Sequence, residues 1–142
     1  MDSQKKKIKI GFTCGVFDLF HAGHVLMLKE CKEHCDFLIV ALNKAEHIST
    51  KINPNKKPPI FSYEERKLII ENCKLVDNVV GYNSEFELEQ IIKISKANIR
   101  FLGQDYKGKL ITGRELIKEI YYTNRDHGLS TSHYRNRIIE LG

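Results

Sequence analysis

A doubly wound α/β fold around a five-stranded parallel sheet is what this sequence predicts. Three observations predict it. Strand and helix signals alternate from one end of the chain to the other. One strand candidate, "DFLIVALN" (36–43), is an almost unbroken apolar run, as a strand covered on both faces requires. Three of the later helix candidates open on Ser/Thr–x–x–Glu signatures, which mark helix starts.

Taken in order, "KIKIGFTC" (7–14) reads as a buried first strand, and "HAGHVLMLKECKEHC" (21–35) carries apolar residues at helical spacing. After the second strand comes a loop centred on "NPNKKPP", whose prolines forbid regular structure. Ser62 and Glu65 form a capping box ahead of "RKLIIENC". "NVVGY" (78–82) reads as a third strand, and Ser84 with Glu87 opens a helix expected to run through Lys96. "NIRFLG" (98–103) is a fourth strand. Thr112 and Glu115 repeat the capping box before a short helix, and "EIYYT" (119–123) is a fifth strand. "STSHYRNRIIEL" (130–141) completes the chain as a helix with hydroxyls at its start. Helices of this length between strands imply parallel pairing through right-handed crossovers. Ligands of such sheets bind beyond the carboxyl ends of the strands, where strand order reverses. That rule directs attention to residues 14–24.

The 142 residues suit one compact domain, with residues 1–7 as a flexible basic tail. Charged residues make up 29% and the net charge is +5, which fits nucleic acid, a membrane surface or a small phosphorylated ligand. Much of that charge lies in two runs, Lys5-Lys6-Lys7 and Lys56-Lys57, so no broad basic face is expected. No aromatic-studded basic patch supports an RNA-binding module. No apolar run is long enough to span a membrane and no signal-peptide core is visible, so a cytoplasmic protein is expected. Cys31, His34 and Cys35 lie close together in "CKEHC", but a zinc site would call for a second knuckle. Leu28, Cys31 and Cys35 recur at helical spacing, which reads as buried thiols.

"GVFDLFHAGH" (15–24) falls where the first strand turns into the first helix. A helix N-terminus offers free backbone N–H groups and partial positive charge, and so attracts phosphate. Gly15 lets backbone approach an anion. His21 and His24, three residues apart, share one helix face and can point at one oxyanion. The competing reading makes them helix caps or surface residues. Neither a G-x-x-x-x-G-K nor a G-x-G-x-x-G motif is present.

Four blocks, "GVFDLFHAGH", "SYEERK", "GQDY" and "RDHGLSTS", resemble the H-x-G-H nucleotidyltransferase superfamily, and within it the small glycerol-3-phosphate cytidylyltransferases. The resemblance spans the chain from Ile8 to the final helix. It implies transfer of a cytidylyl group from CTP to glycerol 3-phosphate or a similar polyol phosphate, giving a CDP-alcohol and pyrophosphate. It implies that His21 and His24 stabilise the α-phosphate in the transition state, with Gly15, Val16 and Phe17 supplying backbone around the nucleotide. The family's loop lysine matches Lys51, or else Lys56 or Lys57. Arg66 matches the arginine of the "ERK" block, against a simpler role in an ion pair on a helix face. Asp105 would meet a base amino group, or else merely form a turn. Arg125 would grip phosphates, and Ser130, Thr131 and Ser132 would offer hydroxyls and amides, beyond plain N-capping. Magnesium is expected with the triphosphate, and a homodimer is expected. "DYKGKLITGRE" (105–115) also resembles adenylyltransferases that activate heptose phosphates, which leaves an adenylyltransferase for a sugar phosphate as the alternative.

Overall fold

The computed structural model describes residues 7–46 and 57–142. Five strands form one parallel sheet: β1 (Ile10–Gly15), β2 (Phe37–Asn43), β3 (Asn78–Tyr82), β4 (Ile99–Gly103) and β5 (Glu119–Thr123). Among the described residues four α-helices accompany them: α1 (Ala22–Glu33), α2 (Tyr63–Glu71), α3 (Glu85–Ser95) and α4 (Thr131–Leu141). The strand order is β3-β2-β1-β4-β5. The chain therefore winds outward from β1 to β3, returns, and winds the other way through β4 and β5. The reversal lies between β1 and β4, which pair at Gly11↔Ile99 and Phe12↔Arg100.

The apolar run of β2 explains the two layers. Leu38, Val40 and Leu42 pack on one face with Leu28 and Cys31 of α1 and Ile70 of α2. Ile39 and Ala41 alternate onto the other face, with Phe12 of β1, Leu88 and Ile92 of α3, and Ile117. A strand buried on both sides needs no polar alternation, which is why its sequence reads as continuous hydrophobe. Cys31 and Cys35 lie inside the first layer, and burial pushes both thiols up.

The Ser62–Glu65 capping box forms in full: Ser62 accepts from the Glu65 amide at 3.2 Å, and Glu65 accepts from the Ser62 amide at 3.3 Å. Ser84 caps α3 through the Glu87 amide at 3.1 Å, but Glu87 reaches back to Asn83 instead. Lys96 is the residue that ends α3, in the left-handed region at φ 53°. The helix expected after Thr112 is only a 3-10 turn, Arg114–Leu116. Gly113 precedes it at φ 72° as the N-cap with no side-chain cap bond, and the Thr112 side chain is turned instead toward α3, where its hydroxyl donates to Glu85.

Arg66 is only 1% exposed and stitches three segments together. Its Nη1 donates to the carbonyls of Val16 (3.0 Å) and Asn43 (2.7 Å), its Nη2 to Ala45 (3.0 Å), and its Nε to Phe61 (3.2 Å). The ends of β1 and β2 and the start of α2 are thus fixed by one side chain. Its guanidinium lies 5.9 Å from the Tyr63 ring centroid. Replacing it by methionine leaves up to four carbonyls without this donor, at about 1–3 kcal/mol for each one that stays buried and unpaired. Arg66→Met should therefore lower the unfolding free energy by at least about 2 kcal/mol in a urea titration.

Candidate functional site

A cavity of ≈ 540 Å³ opens at the carboxyl ends of β1 and β4. It lies at the point of strand reversal, where an open α/β sheet leaves a crevice. Gly15, Val16, His21 and His24 line it, together with Asp105, Arg125, Ser130 and Thr131.

The two histidines cap α1 for each other. His21 Nδ1 accepts from the Gly23 amide at 3.0 Å, and His24 Nδ1 accepts from the His21 amide at 3.2 Å. Capping and ligand binding are therefore not alternatives here. An imidazole whose Nδ1 accepts a hydrogen bond carries its proton on Nε2 when neutral. Burial, with the His21 ring beside it, lowers the His24 pKa to about 3. Burial, reinforced by His127 and His133, lowers that of His21 as well. Both rings are thus neutral Nε2–H donors at ordinary pH. They stack, with centroids 3.9 Å apart and planes inclined by 25°, and Phe20 stacks on His24 at 5.4 Å.

The glycine between them is imposed by packing. A Cβ on Gly23 would sit 2.4 Å from the Leu129 carbonyl oxygen and 2.8 Å from Cε1 of His21. The segment leading into α4 therefore lies directly on the first turn of α1. A chain of bonds continues from there: His21 Nε2 donates to Thr131 Oγ1 at 3.3 Å, and Thr131 donates to the Asp18 carbonyl at 3.3 Å.

Asp18 holds the motif in place. Its carboxylate accepts from the amides of Ile60 (2.7 Å) and Phe61 (2.9 Å) and from Arg135 of α4 (3.1 Å). Burial alone would raise its pKa, but these donors hold it below the ordinary carboxylate value. Its neighbours Phe17 and Leu19 stand at φ 52° and 51°, a left-handed backbone that costs non-glycine residues energy unless its surroundings fix it.

The remaining expected residues divide. Arg125 and Asp105 come together, but as an exposed ion pair with each other at 2.9 Å. Ser130 caps α4 through the His133 amide at 3.1 Å and also lines the cavity. Ser132 is exposed and lies away from it. Phe17 packs in the core with its ring 5.3 Å from that of His24 and does not line the cavity. Arg66 also stays outside the cavity and makes no ion pair among the described residues, because its donors are taken up by backbone carbonyls. Lys51 and Lys56 fall outside the described residues, and Lys57 is exposed. Asn43, Tyr82, Glu85 and Arg100 also line the cavity, and no motif in the sequence marked them; Thr112, expected only as a helix cap and within the 105–115 block, lines it too. Among the described residues, no three His, Cys, Asp or Glu side chains stand close enough to hold a metal ion, and no helix is long and apolar enough to cross a membrane.

Residues 12–137 match the family described as cytidylyltransferase-like. The chain belongs to that family. It lies within the nucleotidyltransferase superfamily that the H-x-G-H block resembles. The chain is 38% identical to the bifunctional protein HldE of Campylobacter concisus over 96% of its own length and 28% of the relative's. It is 38% identical to HldE of Wolinella succinogenes over 87% of its length and 26% of that protein. It therefore spans little more than a quarter of these curated relatives. Among solved structures, a lipopolysaccharide core biosynthesis protein of Thermoplasma volcanium superposes with a TM-score of 0.64 at 26% identity, covering 84% of this chain and all of that one. A pantoate-beta-alanine ligase of Francisella tularensis shares the fold, at 18% identity and a TM-score of 0.56 over 95% of this chain and 67% of that one.

Both histidines refuse, when folded, a proton that the unfolded chain accepts near pH 6.5. Their contribution to stability is complete above that pH and is lost as the pH falls below it, for His24 down to about 3. For His24 the slope is about 1.4 kcal/mol per pH unit. His24→Gln should flatten the stability profile between pH 6 and pH 4 by that amount, as read from urea midpoints at each pH. His21→Ala should cost about 0.5–2 kcal/mol as a lost cap, and His21→Asn, which keeps a capping oxygen, should recover most of it.

Proposed function

We propose that the chain is an adenylyltransferase that acts on a sugar phosphate of the heptose-phosphate type. An oxygen of the acceptor's phosphate attacks the α-phosphorus of the nucleoside triphosphate. The new P–O bond forms as the bond to the β-phosphate breaks, and pyrophosphate leaves with the electron pair. Such chemistry needs no protein nucleophile. It needs positioning and stabilisation of charge on the equatorial oxygens.

The observation that carries the chemistry is the Nε2–H of His24, a neutral donor without a protein partner among the described residues, at the N-terminus of α1. The reciprocal cap fixes its direction before any ligand arrives, so little reorganisation is needed during reaction. His21 stands beside it with its Nε2–H on Thr131, and Arg125, ion-paired with Asp105, stands among the other lining residues. Magnesium would enter with the triphosphate, taking its ligands from phosphate oxygens and water, since Mg²⁺ rarely needs an all-protein cage.

The relatives support this acceptor and base. The expected glycerol-3-phosphate cytidylyltransferase gives way to the adenylyltransferase alternative, because the curated relatives at 38% identity are HldE proteins and a solved relative belongs to lipopolysaccharide core biosynthesis. The likeness of residues 105–115 to heptose-phosphate adenylyltransferases agrees.

The decisive measurement is pyrophosphate release, with magnesium, across four nucleoside triphosphates and a library of sugar and polyol phosphates. ATP with a sugar phosphate should give the highest kcat/KM. Turnover of CTP with glycerol 3-phosphate and none with ATP would overturn the assignment. With the productive pair, His21→Asn and His24→Gln should each lower kcat by about 10²–10³ while KM for the nucleotide changes little.

A further inference from the structure

The cavity has a second polar end, across β1 from the histidines, and Arg100 dominates it. Its neighbours in β4, Ile99 and Phe101, pack in the α1–α2 layer, so strand alternation turns Arg100 to the α3 face. There it is 3% exposed, yet it lines the cavity. Its Nη1 donates to the Thr112 carbonyl and its Nη2 reaches Cys14 Sγ at 3.8 Å. Its Nε is buried with no hydrogen-bond partner. Among the described residues Arg100 makes no ion pair.

A guanidinium is charged at every accessible pH, and a buried charge without a counter-charge is costly. The nearby groups do not neutralise it. Burial pushes the Cys14 thiol up, so it stays protonated. Glu85 is exposed at the mouth of α3 and receives the Thr112 hydroxyl. Arg66 shows how this chain satisfies a buried arginine when the role is structural, with four carbonyl contacts. Arg100 has one carbonyl, a thiol and a buried, orphaned Nε, on a side chain that lines the cavity.

We propose that Arg100 is the acceptor-binding residue that takes the phosphate of the sugar phosphate, with Asn43, Tyr82 and Glu85 set around it to meet hydroxyl groups. This rests on the nucleotidyltransferase reading and assigns it a second subsite. The nucleotide's α-phosphate lies at the histidines and the acceptor's phosphate at Arg100, so the two meet above the end of β1. Arg100 offsets the repulsion between two anions that must approach to bonding distance. Its planar fork also orients the incoming oxygens.

Arg100→Met removes the charge and keeps the bulk. Removing an uncompensated buried charge relieves its desolvation cost. The ligand-free Tm should therefore be unchanged or raised, and KM for the acceptor should rise at least tenfold with KM for the nucleotide within twofold. Arg100→Lys, which keeps charge and loses the fork, should fall between. A lowered ligand-free Tm with both KM values moved equally would make Arg100 structural and overturn the proposal. A binding arm stands without turnover. The Tm rise given by glycerol 3-phosphate over that given by glycerol should shrink in Arg100→Met and persist in His21→Asn. The reverse pattern, or no such rise in the parent protein, would also overturn it. If no nucleotide and acceptor pair turns over while the binding arm holds, the function assignment fails and the anion site remains.

Discussion

An imidazole carries nitrogens on opposite edges of one ring, and His21 and His24 use both edges. Nδ1 of each closes the first turn of α1, which fixes Nε2 as the donor and fixes where it points. Serine or aspartate caps a helix as well, but then has no second donor on a rigid plane. The same turn sets the position of α4, because Gly23 lets the Leu129 carbonyl rest against α1 and Thr131 bridges His21 to Asp18. Without that cap, the cavity would lose its donors and one of its walls together.

The cap needs a frame, and two buried charges supply it. Asp18 draws in the segment before α2 and the body of α4, while Arg66 gathers the carbonyls that end β1 and β2. On either side of Asp18, Phe17 and Leu19 stand in left-handed conformation. A backbone held against its preference persists only where its surroundings over-determine it. The strand end, the turn and the helix start are thus held from several sides. That rigidity is what a site relying on preorganised donors requires.

The fold was legible because its signals are local. The apolar run of β2, the capping serines at Ser62, Ser84 and Ser130, and the alternation of periods each depend on residues close in sequence. The failure at Thr112 has the same origin. Its hydroxyl found Glu85, 27 residues away, and a tertiary partner outcompeted the local cap. At the site, the H-x-G-H block announced itself by spacing, whereas Arg100, Tyr82 and Asn43 sit in ordinary strand contexts. Only the sheet registers, β1 with β4 for Arg100 and β2 with β3 for the Asn43–Tyr82 pair, bring them to the cavity. Arg66 shows the converse: a motif residue whose place in the sequence suggested ligand contact, and whose hydrogen bonds face the protein.

Two arginines of equal burial therefore have opposite roles, and hydrogen-bond geometry separates them. A guanidinium offers five N–H donors in a plane. Around Arg66 the ends of strands and a helix present carbonyls from several directions, and those partial charges solvate the cation as water would. Arg100 sits within a strand, where neighbouring carbonyls are already committed to the sheet ladder. The interior there cannot solvate it, so its field extends into the cavity. The sheet thus places a neutral pair of donors on one side of β1 and an undischarged cation on the other. A phosphate that must be polarised suits the first side, and a phosphate that must be held as an anion suits the second.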